Sequence, residues 1–252
     1  MTKLNVAYIV ADDTDEWFKM SVQQASKVAN QFVFVIDKPS SYTWSVIELA
    51  QELKPTRIIH KRYEHESKKA DGTQRNVYLD YLKNNNEGEW CLVLDTDEIL
   101  QDNPHTLLNY VNQDETDCFN IRMRHVWFAL GIEDSTFDKH YVPTRLFKIR
   151  KGMTYPAVEH PTLQGYAQLG IIDDCQIWHM NVVKSLLSEI SKYKKQCEKS
   201  NIHTQQELLL WHAWHVLGTN LLKRFDMKEL PQVVKDFACI NDLGEPKLYE
   251  VK

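Results

Sequence analysis

The sequence predicts an α/β fold in which a mostly parallel β-sheet is flanked by helices. Short apolar runs alternate with segments of helical period between residues 4 and 94. Most of these runs end at polar residues, often aspartate, as strands of an open parallel sheet commonly do. A length of 252 residues is enough for one substantial core. We therefore expect one folded unit.

The first half should contain four strands joined by helices. Runs rich in valine, isoleucine and leucine indicate the strands, and apolar residues three or four positions apart indicate the helices. The expected strands lie at residues 4–10, 32–36, 57–60 and 90–94, and the helices between them at 18–28, 46–53 and 73–83. This alternation implies helices on both faces of the sheet.

The second half is less regular. Phe119, Ile121 and Met123 alternate with polar residues, which is typical of a half-buried strand, and further strands are expected at 145–150 and 171–178. These would form a mixed-sheet extension. From residue 186 onward the pattern becomes helical, so we expect a catalytic domain at 1–180 and a C-terminal helical extension at 181–252.

Composition excludes several classes of protein. A net charge of -5 provides no basic surface for general nucleic-acid binding. The five cysteines have no Cys-x-x-Cys spacing, which favours a reducing cytoplasm over a disulfide framework. The apolar run after Leu4 is too short to span a bilayer and ends at Asp12 and Asp13. We expect a cytoplasmic protein without a transmembrane segment, with peripheral membrane association left open.

The sharpest indication of chemistry is the acidic end of the fourth strand. The run Trp-Cys-Leu-Val-Leu-Asp-Thr-Asp-Glu at 90–98 stops a buried strand at Asp95, Asp97 and Glu98. Carboxylates held this close raise one another's pKa unless a cation or solvent compensates. Mg²⁺ or Mn²⁺ takes oxygen ligands of this kind and shares them with substrate phosphates. A solvated turn before the helix expected near Pro104 explains the motif equally well.

The surroundings of this acidic motif resemble the family 2 glycosyltransferases. Arg75 and Asn76, a helix, and then the run at 89–98 are similar to that family's Ala-Arg-Asn, helix, Asp-Trp-Ile-Leu-x-Leu-Asp-x-Asp-Glu segment. The likeness continues through Arg-Leu-Phe, Val-Glu-His and Ile-Trp-His, which stand at 145–147, 158–160 and 177–179. These are similar to sites in the branch related to lipopolysaccharide-core glucosyltransferases. The likeness covers roughly two-thirds of the chain.

The resemblance implies a GT-A (Rossmann-like) fold, with a nucleotide-sugar half at 1–100 and an acceptor half at 101–180. It also implies that Asp97 ligates Mn²⁺ or Mg²⁺ and that His179 supplies a further ligand. A histidine satisfied at a strand end is nearly as good an explanation of His179. The implied nucleotide-sugar site contains Asp12, Asp37, Arg75 and Asp95. In that site Asp37 would face the base, Arg75 would lie beside the nucleotide, and Asp95 would contact the ribose or the metal's water shell.

The chain departs from the family pattern at the expected catalytic base. The family's Val-His-Glu stands here as Val158, Glu159 and His160, with acid and imidazole exchanged. A base must lie within hydrogen-bond reach of the acceptor hydroxyl. We favour Glu159 and keep His160 as a candidate. The nucleotide pocket also departs from the family, which has Asn-Glu where this chain has Asp12 and Asp13.

The resemblance implies a hexosyltransferase that moves a sugar from a nucleotide-diphosphate donor to an acceptor hydroxyl, with a metal ion. A single displacement would invert the anomeric centre. The acceptor, whether glycan, lipid-linked or protein, is not fixed by the sequence, and neither is the oligomeric state. A sugar-phosphate nucleotidyltransferase is one alternative, although it would want a glycine-rich phosphate loop after the first strand. A non-catalytic carbohydrate- or nucleotide-binding protein of the same fold is the other.

Overall fold

The computed structural model describes residues 3–10, 17–63, 70–113, 115–126, 132–134, 143–158, 161–180, 222–224, 229 and 231–234. Three of the predicted site residues, Asp12, Glu159 and His160, lie outside the described residues. So do the helices predicted between 186 and 221. The predictions made for these positions therefore stay predictions.

Strands and helices alternate in the first half, as the sequence predicts. They are β1 (Leu4–Val10), α1 (Phe18–Ser26), β2 (Gln31–Ile36), α2 (Ser41–Leu53), β3 (Thr56–His60), α3 (Ala70–Asn85) and β4 (Trp90–Leu94). The next elements are β5 (Glu98–Leu100), a 3-10 turn (Pro104–Thr106), α4 (Leu107–Tyr110), β6 (Cys118–His125), β7 (Ile132–Asp134), β8 (Thr144–Lys148), β9 (Leu169–His179) and β10 (Leu222–Arg224). The expected strands in both halves are present.

Eight of the described strands form one curled sheet in the order β3-β2-β1-β4-β8-β6-β9-β5. The first four of these strands run parallel to one another. β8 then runs antiparallel to both β4 and β6, β9 runs parallel to β6, and β5 closes the edge antiparallel to β9. The predicted fold class, a mostly parallel sheet with a mixed extension, is confirmed.

Both faces of the parallel half are buried. Along β1, Leu4, Val6 and Tyr8 belong to the core that includes α1 and α2, whereas Ala7 belongs to the opposite core with residues of α3. Tyr8 stacks on Phe34 of β2. Because each face is covered, these strands are almost continuously apolar instead of alternating with polar residues.

Among the described elements between residues 4 and 100, the short strand β5 is the one that the sequence did not predict. On α1, the Ser21 hydroxyl and the Gln24 side-chain amide donate hydrogen bonds to the backbone carbonyls of Glu98 and Leu100. On the other side, β5 pairs with the end of β9, where Glu98 lies opposite His179. These contacts fix the residues after Asp95 at the edge of the sheet.

Within the region predicted to be helical, β10 is a strand that pairs antiparallel with β7. A short helical segment follows at 232–234, where Val234 is buried against Trp17 and neighbouring residues. In the part of the chain that the structure describes, no helix has the length and apolar character needed to cross a bilayer.

Candidate functional site

Three neighbouring parallel strands, β2, β1 and β4, end side by side at the carboxyl edge of the sheet. The register aligns Val10 with Ile36, and Tyr8 with Leu94. Asp37 and Asp95 directly follow the two outer strands of this trio, so two strand spacings, roughly 10 Å, separate them along the edge. The predicted nucleotide-binding residues Asp37 and Asp95 therefore share one edge of the sheet, without contacting each other.

Asp95 is held between two arginines. Arg75 of α3 places Nη2 3.0 Å from Oδ1 of Asp95, and Arg145 of β8 places Nη2 2.9 Å from Oδ2. Burial alone would raise the pKa of Asp95, but Arg145 and Arg75 hold that pKa well below its usual range. The Asp95 side chain is still 36% exposed, and each of its oxygens has a second lone pair for a ligand hydroxyl.

Glu98 is a buried part of the same network. Its side chain is 1% exposed, its Oε1 forms an ion pair with Arg145, and its Oε2 accepts a hydrogen bond of 3.0 Å from the backbone N–H of Asp95. Burial raises the pKa of Glu98 to about 7, although Arg145 opposes that shift. Glu98 is therefore a buried residue that orients Arg145 and the backbone of Asp95.

Arg145 provides a positive charge that compensates the carboxylates of the acidic cluster. From the sequence, we expected a cation or solvent to compensate them. The Arg145 side chain is 6% exposed and contacts both Asp95 and Glu98. From the sequence, Arg145 was expected in a strand and in the Arg-Leu-Phe run of the family resemblance, but it was given no role of its own. The available signal was an arginine beside the apolar Leu146 and Phe147, because a charge in such a strand needs a partner.

The two predicted metal ligands, Asp97 and His179, meet at the ends of β5 and β9. The Nε2 of His179 lies 3.5 Å from Oδ1 of Asp97, and the backbone N–H of Met180 donates a 2.9 Å hydrogen bond to the Asp97 carbonyl. Burial would lower the pKa of His179, but the Asp97 carboxylate, with Glu98 and Asp95, raises it above its usual value.

A second imidazole, which the sequence analysis missed, stands behind His179. The Nδ1 atoms of His125 and His179 are 2.8 Å apart, and the two ring planes are 79° apart. The pairing of β6 with β9 places the two residues opposite each other. Burial, with a contribution from His179, lowers the pKa of His125 to about 3. His125 is therefore a neutral, buried partner of the predicted ligand.

The chemistry of Asp97 and His179 fits a divalent cation. Two ligands at right angles around an octahedral cation, each about 2.1 Å from it, are about 3 Å apart. The 3.5 Å between Oδ1 of Asp97 and Nε2 of His179 is close to that spacing. Among the described residues, no group of three or more histidine, cysteine, aspartate or glutamate side chains could hold a metal. A cation here would need phosphate and water oxygens for its remaining ligands.

Asp37 contacts the loop that connects β3 to α3. Its Oδ2 accepts a hydrogen bond of 2.9 Å from the backbone N–H of Tyr63, whose hydroxyl donates to Asp71 at the start of α3. Gln74 of α3 is 2% exposed and donates to the carbonyls of Lys61 and Arg62. Residues 61–63, the described part of this loop, therefore contact Asp37 on one side and α3 on the other.

The start of α3 also holds the segment that leads to the predicted catalytic base. Asn76 donates to the carbonyl of Tyr155 at 2.7 Å and accepts from its N–H at 2.9 Å. Gly72 approaches the carbonyl oxygen of Pro156 so closely that an added Cβ would lie 1.9 Å from it. Val158, directly before Glu159, accepts a 3.4 Å hydrogen bond from the Gly72 N–H. The last described residues before Glu159 thus lie one helical turn from Arg75.

Comparison with known proteins relates the chain to solved structures. No protein-family model matches it, and no curated protein sequence matches it significantly. The fold is similar to that of S. aureus TarS. The likeness to TarS 1-349 has a TM-score of 0.51 and 12% identity, over 71% of this chain and 60% of that one.

Two further TarS structures give similar values. TarS 1-349 in complex with UDP has a TM-score of 0.50 and 13% identity, over 78% of this chain and 65% of that one. A longer TarS chain has a TM-score of 0.51 and 14% identity, over 75% of this chain and 38% of that one. This chain spans less than two thirds of each TarS chain. At these identities the likeness concerns the fold, and the fold is GT-A-like.

Proposed function

We propose that this chain is a metal-dependent glycosyltransferase that moves a sugar from a nucleotide-diphosphate donor to an acceptor hydroxyl. One observation carries the proposal: in a GT-A-like fold, the Arg75–Asp95 pair and the Asp97–His179 pair lie together around the end of β4. Ligands of open α/β sheets bind at this carboxyl edge. The UDP complex of TarS makes UDP the first nucleotide to test.

The spacing of the carboxylates suits an extended nucleotide. Asp37 would face the base, and Asp95, roughly 10 Å further along the edge, would accept hydrogen bonds from the ribose. β1, the strand that precedes Asp12 in the sequence, lies between β2 and β4; the contribution of Asp12 itself stays a prediction. Arg75 and Arg145 keep Asp95 ionised and fixed in orientation, which prepares it to accept those hydrogen bonds.

The donor's diphosphate would lie beside Asp97 and His179. A divalent cation bound there would act as a Lewis acid on the departing nucleoside diphosphate, whose negative charge grows in the transition state. Asp97 would hold the cation through a carboxylate oxygen, and His179 through Nε2. Because these two side chains provide so few ligands, we expect the metal and the nucleotide to bind more tightly together than apart.

The acceptor hydroxyl would attack the anomeric carbon while a base removes its proton. We assign that role to Glu159, with His160 as the alternative. Support comes from Gly72 and Val158, whose backbone contact brings the segment before Glu159 next to the start of α3, close in sequence to Arg75. A single displacement would invert the anomeric configuration.

The proposal is tested by UDP calorimetry with and without Mn²⁺, followed by a screen of UDP-sugars for metal-dependent release of UDP. Asp97→Ala should lower the affinity for UDP in Mn²⁺ by roughly tenfold or more and leave binding without metal unchanged. The matched control is Asp80→Ala, which removes a carboxylate that is 63% exposed on α3 and pairs with Lys83. Equal UDP affinities for the two variants in Mn²⁺ would contradict the metal assignment.

The same experiments separate the alternatives. Metal-dependent UDP binding without release of UDP from any donor would favour a non-catalytic binding protein of this fold. Release of pyrophosphate from a nucleoside triphosphate and a sugar phosphate would favour a nucleotidyltransferase.

A cytoplasmic location stays a prediction; the described cysteines Cys91, Cys118 and Cys175 are buried and free.

A further inference from the structure

Three adjacent strands deliver Asp97, His179 and His125 to one end of the sheet. β9 lies between β5 and β6 in the sheet order. The N–H of Met180 bonds to the Asp97 carbonyl at 2.9 Å, and the N–H of Val126 bonds to the His179 carbonyl at 3.0 Å. The backbone on both sides of His179 is therefore fixed, so its ring stands between a carboxylate and a second imidazole.

The two nitrogens of His179 have different neighbours. Nε2 lies 3.5 Å from Oδ1 of Asp97, and Nδ1 lies 2.8 Å from Nδ1 of His125. Two ring nitrogens at hydrogen-bond distance share one proton, which belongs to one ring or the other. Whether His179 or His125 carries that proton determines whether Nε2 of His179 can bind a metal.

If the shared proton belongs to His179, its Nε2 is free to give up its own proton and ligate a cation as a neutral imidazole. If the proton belongs to His125, a neutral His179 must carry its only proton on Nε2, directed toward Asp97. A protonated nitrogen has no lone pair for a metal. Only the first arrangement supports the assignment of His179 as a ligand.

We propose that His125 is a positioning residue: its Nδ1 accepts the Nδ1–H of His179 and thereby presents Nε2 of His179 to a divalent cation shared with Asp97. This inference rests on the metal site of the proposed function. Metal-bound histidines usually donate their other ring N–H to an acceptor, and losing that acceptor commonly weakens metal binding by about 10–100-fold. His125 is 5% exposed, so water does not readily replace it as acceptor.

The test measures Mn²⁺ affinity of the full chain by electron paramagnetic resonance for His125→Phe and His125→Asn. Phenylalanine fills the volume but cannot accept a hydrogen bond, whereas the side-chain oxygen of asparagine lies near the former Nδ1 position and can accept one. We expect roughly tenfold or greater weakening in His125→Phe and affinity closer to the parent protein in His125→Asn. The reverse order would overturn the proposal, because a packing role is better served by phenylalanine.

Two further measurements keep the outcomes distinct. In the same titration, Asp97→Ala should abolish Mn²⁺ binding at this site. If Asp97→Ala has no effect, the metal site itself is wrong and the inference falls with it. If Asp97→Ala abolishes binding while His125→Phe preserves it, only the role of His125 is wrong. Thermal melting of each variant shows whether an affinity loss reflects unfolding.

The unmodified protein provides an independent measurement, which is needed if His125→Phe fails to fold. Long-range ¹H–¹⁵N NMR of the histidine rings, with Zn²⁺ as a diamagnetic probe, identifies the protonated nitrogen of each ring. The proposal requires a proton on Nδ1 of His179 and on Nε2 of His125. A proton on Nδ1 of His125 in the Zn²⁺-bound protein would overturn it.

Discussion

The parallel half of the sheet and its mixed half differ in where they bury charge. β1 to β4 bury almost exclusively apolar side chains, and polar groups such as Asp37 lie at the strand ends. Among the described residues, the buried aspartate, glutamate, histidine and arginine side chains all come after β4, in or beside strands of the mixed half; they are Glu98, Asp117, His125 and Arg145. The parallel half of the sheet is therefore built by apolar patterning, and the buried charged side chains lie in or beside the mixed half.

The candidate site forms where these two halves meet. β4 is the last parallel strand, and β8 is its antiparallel neighbour. Asp95, just after β4, forms ion pairs with Arg75 of the parallel half and with Arg145 of the mixed half. Asp97 and His179 both lie on the mixed side. In the proposed function, the parallel half would recognise the nucleotide, and the mixed half would bind the cation that neutralises the diphosphate.

The largest effect should follow from Arg145→Met, which breaks the link between the halves. The change leaves Glu98 buried and removes one of the two arginines paired with Asp95, so we expect a loss of about 3–5 kcal/mol in the free energy of unfolding. Urea denaturation followed by circular dichroism measures this loss. A loss below about 1 kcal/mol would contradict the importance of the network.

Two controls sharpen this result. Adding Glu98→Gln to Arg145→Met removes the unpaired carboxylate and should recover part of the stability. Arg150→Met is a matched control in the next stretch of chain, because Arg150 is 47% exposed and pairs with Asp117, which also accepts backbone hydrogen bonds. Arg150→Met should lower the free energy of unfolding by about 1 kcal/mol or less.

The same contrast explains how much could be predicted from the sequence. The strands of the parallel half were predictable because burial on both faces leaves long apolar runs, and Asp95 and Asp97 were identifiable because they stand where such a run ends. β5 was not predictable, because three residues are too few to show a period. Arg145 and His125 reach partners 50 and 54 residues away, Asp95 and His179. Those pairings depend on strand neighbours that no local pattern specifies.

The next effect in size concerns the acceptor side, where Glu159 is the proposed base. Glu159→Gln keeps the size and polarity of the side chain but removes its ability to take a proton. We expect sugar transfer to fall by roughly a hundredfold or more, while UDP binding in Mn²⁺ is unchanged. Single-turnover transfer at saturating donor measures the chemical step, and calorimetry measures binding.

His160→Ala is the companion variant and should reduce transfer less than Glu159→Gln does. If the imidazole is the base, the two variants exchange their effects, and parent activity falls as the pH drops through about 6.5. If neither variant slows transfer, a base elsewhere in the chain must act.

The smallest expected effect lies in the parallel half, at Asp37. If Asp37 faces the base of the nucleotide, Asp37→Ala removes a charged hydrogen-bond acceptor and should weaken UDP binding by roughly tenfold, about 1.4 kcal/mol. Mn²⁺ affinity in the absence of nucleotide should not change, because Asp97 and His179 lie on the other side of β4. Asp37 also accepts the N–H of Tyr63, so Asp37→Asn, which keeps an acceptor oxygen there, separates loss of this loop contact from loss of charge. Weaker UDP binding in both variants, with Mn²⁺ affinity intact, would support the division of labour between the halves; equal losses of UDP and Mn²⁺ affinity would contradict it.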